Sequence, residues 1–317
     1  MIRTLQKLSR EMLGLNRRNY DLIARYNPRA LFQIVDHKVK TKAALLALQL
    51  PVANTLAIYQ RHREIADFAE QSQRWPVFVI KPAQGAGGEG IVSVVERRAS
   101  HFIAADGSVR SAQALESHLS DILSGVYSLN QRYDEALVEA RIVPHPLLDH
   151  LSYRGLPDIR VIVFCGVPLM AMLRVATRRS RGRANLHAGG IGIGVDLVTG
   201  KTTHALSGKS WITVHPDTDV PLCGVQLPSW NELLTTAARC ADAVALGYLG
   251  VDLTVDEQSK PLVLELNARP GLTIQLANRR GLRLLIEEVE RRNSRDLAVK
   301  DRVRLGQSLV AEERFPY

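Results

Sequence analysis

An α+β architecture follows from three patterns in the 317-residue chain. Residues 250–271 hold two alternating apolar and polar runs around the polar connection Glu257-Gln258-Ser259-Lys260, the signature of an antiparallel hairpin. Residues 158–177 form a second strand pair about Cys165-Gly166-Val167-Pro168. Apolar residues at helical spacing mark residues 111–124, 230–246 and 282–292 as helices. Strand pairs adjacent in sequence, with helices apart from them, give the α+β class.

The hairpin at 250–271 organises the rest. If Val251 meets Leu266, Leu253 meets Leu264 and Val255 meets Leu262, one face is wholly apolar and faces a core. The same register sets Asp252 opposite Glu265, with Asn267 about 7 Å further along that face. Opposed carboxylates repel unless solvent or a cation lies between them, and hard oxygen donors suit Mg²⁺ or Mn²⁺. A solvated outer face is the plain alternative. The following Ala268-Arg269-Pro270-Gly271 adds a cation and a tight turn at the strand's exit.

At 46% hydrophobic and 23% charged, the chain has the composition of a globular protein. The formal net charge of +9 suggests an anionic partner without choosing one. Cys165, Cys223 and Cys240 have neither disulfide-framework nor zinc-ligand spacing, which fits a reducing cytoplasm. Met1-Ile2-Arg3-Thr4-Leu5-Gln6-Lys7 lacks the apolar stretch of a signal peptide, and the longest apolar run, Val161 to Leu173, is too short to cross a bilayer.

Residues 1–42 carry ten lysines and arginines against three acids. Leu5, Leu8, Met12 and Leu15 recur at helical spacing, so residues 1–35 are expected as a basic amphipathic helical segment with a solvated face. Without interleaved aromatics, a nucleic-acid surface is not favoured. Asp36 to Lys42 opens a helix that runs from Ala43 to Leu50 and stops at Pro51. Lysines at that helix start oppose its dipole unless an anion lies near.

Trp75 to Pro82 reads as a strand carrying Lys81, followed by Gly85-Ala86-Gly87-Gly88-Glu89-Gly90 and a further strand from Ile91. A dinucleotide fingerprint must lead into a helix, so G-x-G-x-x-G fails here on context. A glycine flap between strands instead suits backbone N–H groups laid on polyphosphate, with Lys81 as a point charge; a flexible hairpin is the alternative. Residues 136–142 read as a strand, and Pro144, Pro146 and Pro157 mark a hinge between lobes. Arg174 inside an apolar strand needs an anionic partner, either Asp158 or another carboxylate, or a bound phosphate. Arg178 to Gly190 is a basic loop, either a mobile surface loop or an anion-binding lid, in which His187 is not assigned catalysis. The expected divisions are 1–35, 36–140 with the flap, 141–292 with the metal site, and a charged tail at 293–317.

Val79-Ile80-Lys81-Pro82, Asp158-Ile159-Arg160, Asn185-Leu186-His187-Ala188-Gly189-Gly190 and Glu265-Leu266-Asn267, in this order, resemble the ATP-grasp superfamily over residues 36–290. Within it, they are most similar to the alpha-L-glutamate ligases of the ribosomal protein S6 modification type and the proteins grouped with them. The resemblance implies an ATP-grasp fold of two α+β lobes clasping ATP. Lys38 and Lys81 would hold its phosphates under Gly85, Gly87, Gly88 and Gly90, and the backbone at Glu139, Ala140, Arg141 and Ile142 would hold adenine. Asp252, Glu265 and Asn267 would bind two Mg²⁺ ions, Mn²⁺ being an alternative, and Arg174, Asn185 and Arg269 would touch the transferred phosphate. In place of the full α/β domain that precedes this region in glutamate ligases, the chain has only its basic segment. A homo-oligomer or a partner protein would supply that wall.

The expected activity is a Mg-ATP-dependent carboxylate–amine ligase acting through an acylphosphate, with glutamate or another acidic amino acid as reactant. A kinase-type phosphoryl transfer and a nucleotide-binding regulator or adaptor with little turnover are the competing readings.

Overall fold

The computed structural model describes residues 11–85, 87–98, 101–128, 131–292 and 294–311. A ten-residue helix, α1 (Lys38–Ala47), comes first among the longer elements. Then follow β1 (Thr55–Tyr59), β2 (Phe78–Pro82), β3 (Val92–Arg98), β4 (His101–Ala104) and β5 (Val109–Ser111). Helix α2 (Ala112–Leu123) starts at Ser111, whose side chain accepts a hydrogen bond from Ala114 N, and β6 (Ala136–Ala140) completes an antiparallel sheet in the order β1-β6-β2-β3-β4-β5.

The second sheet is built from β7 (Asp158–Phe164), β8 (Val167–Val175), β9 (Ile191–Val195), β10 (Thr202–Ser207) and β11 (Ser210–Ile212). Helix α3 (Trp230–Val244) leads to β12 (Tyr248–Val255) and β13 (Pro261–Asn267), which close the order β11-β10-β9-β8-β7-β12-β13. Helices α4 (Thr273–Ala277), α5 (Arg283–Arg291) and α6 (Val299–Ala311) follow. Cys165 and Gly166, both with positive φ, make the two-residue turn between β7 and β8.

Alternation along β2 explains how the first sheet serves a site. Phe78 and Ile80 are fully buried against a core that includes Leu115, Leu119 and Ile122 of α2, while Val79 and Lys81 point the other way. Glu139 faces Val79 across the β2–β6 ladder, which places Lys81 diagonally beside it on the same face.

The register of β12 and β13 agrees with the sequence where it matters and departs beyond it. Gly250 pairs with Asn267, Val251 with Leu266 and Asp252 with Glu265. An irregularity after Asp252 then shifts the ladder by one residue, so Leu253 faces Val263 and Val255 faces Pro261, not Leu264 and Leu262. A bulge buries Val263 and leaves Leu264 and Leu262 half-buried, while both acids stay on one side.

One expectation is corrected. Residues 299–311 are not a charged tail: α6 packs on the second sheet, with Leu309 fully buried and Arg302 paired to Asp242 through two hydrogen bonds of 2.8 and 2.7 Å. The basic segment is helical over Leu15–Arg17, Arg18–Ile23 and Ala24–Tyr26, with Leu22 buried and Arg17 and Arg25 exposed. Leu5 and Leu8 lie outside the described residues, Leu15 is exposed, and Leu13 and Leu22 join the larger core with Val35 and Leu45. Asn27 stitches this segment in place, its amide donating to Tyr248 O and Ala268 O and accepting from Tyr248 N. Because Leu45 belongs to the larger core, α1 packs with the second sheet.

Docking of α6 leaves no room at Gly306, where a Cβ would lie 2.0 Å from Pro168 O. Gly306→Leu is therefore expected to lower the stability to urea unfolding by about 1–3 kcal/mol through overpacking. An unchanged midpoint would show that α6 does not rest on β8 in solution.

Candidate active site

Three groups of charged side chains meet where the two sheets approach each other. In the first, Glu139, 6% exposed, accepts from Lys81 Nζ at 2.6 Å and from Lys42 Nζ on its other oxygen. Lys42 stands one helical turn after Lys38 on α1, so a helix of the larger core delivers a cation to a strand of the smaller sheet. Burial raises the pKa of Glu139, but Lys81 and Lys42 outweigh it and hold the carboxyl below its usual range. Burial pushes the Lys42 ammonium down, against the pull of Glu139.

The second group lies across β12, β7 and β8. Arg160 grips Asp252 with two hydrogen bonds of 2.7 and 2.5 Å, and Arg174 bridges Asp252 at 2.7 Å to Asp158 at 2.5 Å. Of the partners left open for Arg174, carboxylates hold it here. Two guanidinium groups and two carboxylates balance in this buried row. Burial drives the Asp158 carboxyl up to about 6 despite Arg174, whereas for Asp252 the two arginines overcome burial and lower it.

The third group is the most open. Lys38 Nζ donates to Gly85 O at 2.7 Å and lies 3.7 Å from Glu265, whose side chain is 45% exposed. Asn267 Oδ1 accepts from Arg269 N at 2.8 Å. The Arg269 guanidinium donates to both oxygens of Asp36, at 2.7 and 2.6 Å, and stacks on Phe32 with 4.8 Å to the ring centroid.

Above these groups hangs the glycine flap, of which Ala86 lies outside the described residues. Gly90 has φ +71° and backs onto Tyr127, where a Cβ would meet Cγ at 2.6 Å; its carbonyl oxygen is 2.9 Å from His118 Nε2. Only glycine fits there. The basic loop reaches the flap from the second sheet, since a Cβ on Gly88 would touch Arg183 and one on Gly87 would touch the Asn185 amide. Asn185 also accepts from His187 N at 3.0 Å. Beyond Glu139 and Ala140, the chain through Arg141 and Ile142 crosses between the sheets, tied by Val143 O to Glu257 N and by His145 N to Val255 O. A groove of about 470 Å³ over β1, lined by residues including Leu56, Ile58 and Trp75, lies apart from all of these.

Magnitudes separate the arginines. The Arg269–Asp36 pair is about two-fifths exposed and worth about 0–1 kcal/mol, so a competing anion displaces it at little cost. Breaking the Arg174 row costs several times more, because a buried charge would be stranded. The metal candidates divide similarly. Glu265 and Asn267 offer hard oxygens at an accessible edge and fit a divalent cation. Asp252 is 4% exposed with both oxygens held by guanidinium groups, and it fits a cation only by exchanging one of them. Among the described residues no group of three or more His, Cys, Asp or Glu side chains is placed to hold a metal ion, so an amide must complete any such set.

Sequence reasoning missed Lys42 and gave no role to Arg160. The i, i+4 spacing of Lys38 and Lys42 was the available signal for the first, and the pairing of β7 with β12 for the second.

A family model described as sugar-transfer associated ATP-grasp matches residues 17–291. No curated protein matches the chain. Among solved structures, the D-cycloserine synthetase DcsG is similar with a TM-score of 0.47 and 15% identity over 89% of this chain and 72% of that one. The D-alanine–D-alanine ligase from Bacillus anthracis gives 0.43 and 16% over 89% and 71%. The ATP-grasp ligase PsnB complexed with its minimal precursor gives 0.46 and 14% over 84% of this chain, which spans only 63% of that one. The matched family lies in the superfamily expected from the sequence and is described by sugar transfer, not by glutamate ligation.

Glu139→Gln would leave two lysines without their carboxylate in a buried site and is expected to destabilise the fold by about 3 kcal/mol at pH 7. Since the folded pKa of Glu139 is depressed, its contribution is full above the unfolded value of 4.5 and is lost as pH falls through the lower folded one. Urea melts across pH 3–7 should therefore show the variant and the parent converging in acid; a constant gap would overturn the ion-pair assignment.

Proposed function

The chain belongs to the sugar-transfer associated ATP-grasp family, and on that premise we propose that it is a Mg-ATP-dependent carboxylate–amine ligase. The observation that carries this reading is the position of Lys38 between the flap carbonyl of Gly85 and the exposed carboxylate of Glu265. One ammonium there touches both a glycine-rich phosphate cradle and an oxygen-donor edge. A nucleotide whose phosphates carry a divalent cation needs both within reach.

In this reading Lys38 and Lys81 bind the ATP phosphates under Gly85, Gly87, Gly88 and Gly90, and the backbone from Glu139 to Ile142 receives the adenine. Lys42 keeps Glu139 neutralised when Lys81 turns to phosphate, so no buried charge is left alone. Glu265 and Asn267 would hold Mg²⁺, joined by Asp252 when Arg160 or Arg174 exchanges it for phosphate oxygen. The bound cation would neutralise charge on the transferring phosphoryl group. Arg269, freed from Asp36, and Asn185 beside the flap steady that group.

The substrate carboxylate attacks the γ-phosphorus, the bond to the bridging oxygen breaks, and ADP leaves. An amine then attacks the acylphosphate carbon, loses a proton and expels phosphate. Closure of the flap on the basic loop keeps water from the acylphosphate. Glutamate or another acidic amino acid is the proposed carboxylate, and because the family is described by sugar transfer, amino sugars are among the amines to be tried.

ADP release with Mg-ATP, measured against amino acids, acidic peptides and amino sugars with mass spectrometry of the products, tests the proposal. A product formed stoichiometrically with ADP is expected, and Glu265→Gln should lower kcat at least about a hundredfold with the fold intact. Phosphorylated product without amide would indicate a kinase. Nucleotide binding without turnover across the panel would indicate a regulator.

A further inference from the structure

The loops 152–156 and 178–183 carry five exposed arginines, Arg154, Arg178, Arg179, Arg181 and Arg183, and none of them is ion-paired with an acid among the described residues. Asp217 accepts from the backbone N of Arg178 at 2.8 Å, not from its guanidinium. Elsewhere the protein pairs its partly buried arginines closely, as at Arg160, Arg174 and Arg302. Here the charge is left unanswered.

The display is built, not loose. Ser180 is fully buried, donating to Thr177 O and accepting from Thr177 N, and Thr177 is 3% exposed with its hydroxyl donating to Gly189 O. The two loops touch through their backbones, for a Cβ on Gly155 would lie 2.0 Å from Gly182 O. Arg154 and Arg178 both rest on the Tyr153 ring, with 5.6 and 5.4 Å to its centroid, which restricts their planes and lowers the entropy lost on binding. Arg183 continues the strip to the flap at Gly88, and in the chain the two loops flank the paired strand ends at Asp158 and Arg174.

We infer that this strip binds the diphosphate group of the ligase's acceptor, an inference that rests on the function proposed above. One amino-acid carboxylate answers little of so much unpaired charge. A diphosphate ester brings two adjacent negative charges with several free oxygens, and guanidinium forks match phosphate oxygens two at a time. The ligand chemistry is a diphosphate ester, carried by a nucleoside diphosphate sugar or by a lipid-linked sugar.

The test is calorimetry with inorganic pyrophosphate, UDP-glucose, anionic lipid vesicles and triglutamate, each titrated into protein saturated with AMPPNP and Mg²⁺. Pyrophosphate and UDP-glucose are expected to bind, weakening with salt, and the double variant R154A/R178A should lose at least about tenfold in affinity for both while its affinity for AMPPNP stays within twofold. R154K/R178K should recover only part, because an ammonium lacks the planar fork. UDP-glucose and pyrophosphate binding equally would place recognition on the diphosphate itself. Equal pyrophosphate affinity in the double variant and the parent overturns the inference, as does tighter binding of triglutamate, or binding of vesicles alone. If AMPPNP fails to bind the parent, the nucleotide reading falls separately. Pyrophosphate then reports the strip alone, binding being lost in R154A/R178A and kept in K81A if the inference holds.

Discussion

Glu139 held between Lys42 and Lys81 is the contact on which the site depends. Its three members come from α1, β2 and β6, and α1 packs with the other sheet's core. A buried carboxylate with one cation would be costly to disturb; with two, either lysine can leave and the other still neutralises it. This makes the junction of the two sheets firm while leaving one cation more than the carboxylate needs. Neither lysine would achieve that from its own sheet alone.

The row Asp158, Arg174, Asp252, Arg160 obeys the opposite logic. Its charges cancel inside the second sheet, and every guanidinium is spent on carboxylates. Such a row orients strand faces and gives up a guanidinium only where another anion replaces the carboxylate. The adjustable groups lie at its margins, where Glu265 and Arg269 are nearly half exposed and their pairs are weak. A rigid neutral interior with loosely held charges at its rim suits chemistry in which highly charged phosphates arrive and depart.

Positive charge is distributed in the same spirit. The excess expected of the basic N-terminal segment is partly absorbed there, Arg17 lying near Asp21 and Glu287 and Arg25 near Glu290. It stays unanswered on the loops around Tyr153 and Ser180, beside the flap. A net charge of +9 suggests an anionic partner; the folded arrangement of ion pairs shows where the surplus remains.

Alternation and turn chemistry are local, and so the sequence by itself determined the two hairpins, the opposition of Asp252 and Glu265, the glycine flap with Lys81 at its foot, and α2 and α3. It did not determine the short strands β1, β9, β10 and β11, whose Gly-rich or mixed composition carries little periodicity, nor the helix α6, whose buried stripe is hidden among charges. The one-residue shift after Asp252 was invisible too, because Leu262 to Leu264 are all apolar and either register buries a hydrophobic side chain. Only tertiary structure decided which cation meets which anion: that Lys42 joins Lys81 on Glu139, that Arg174 is spent on Asp158 and Asp252, and that the loop arginines find no acid. Those pairings join residues up to 97 positions apart, and a charge's partner is chosen by distance in space and by burial, neither of which a sequence spacing encodes.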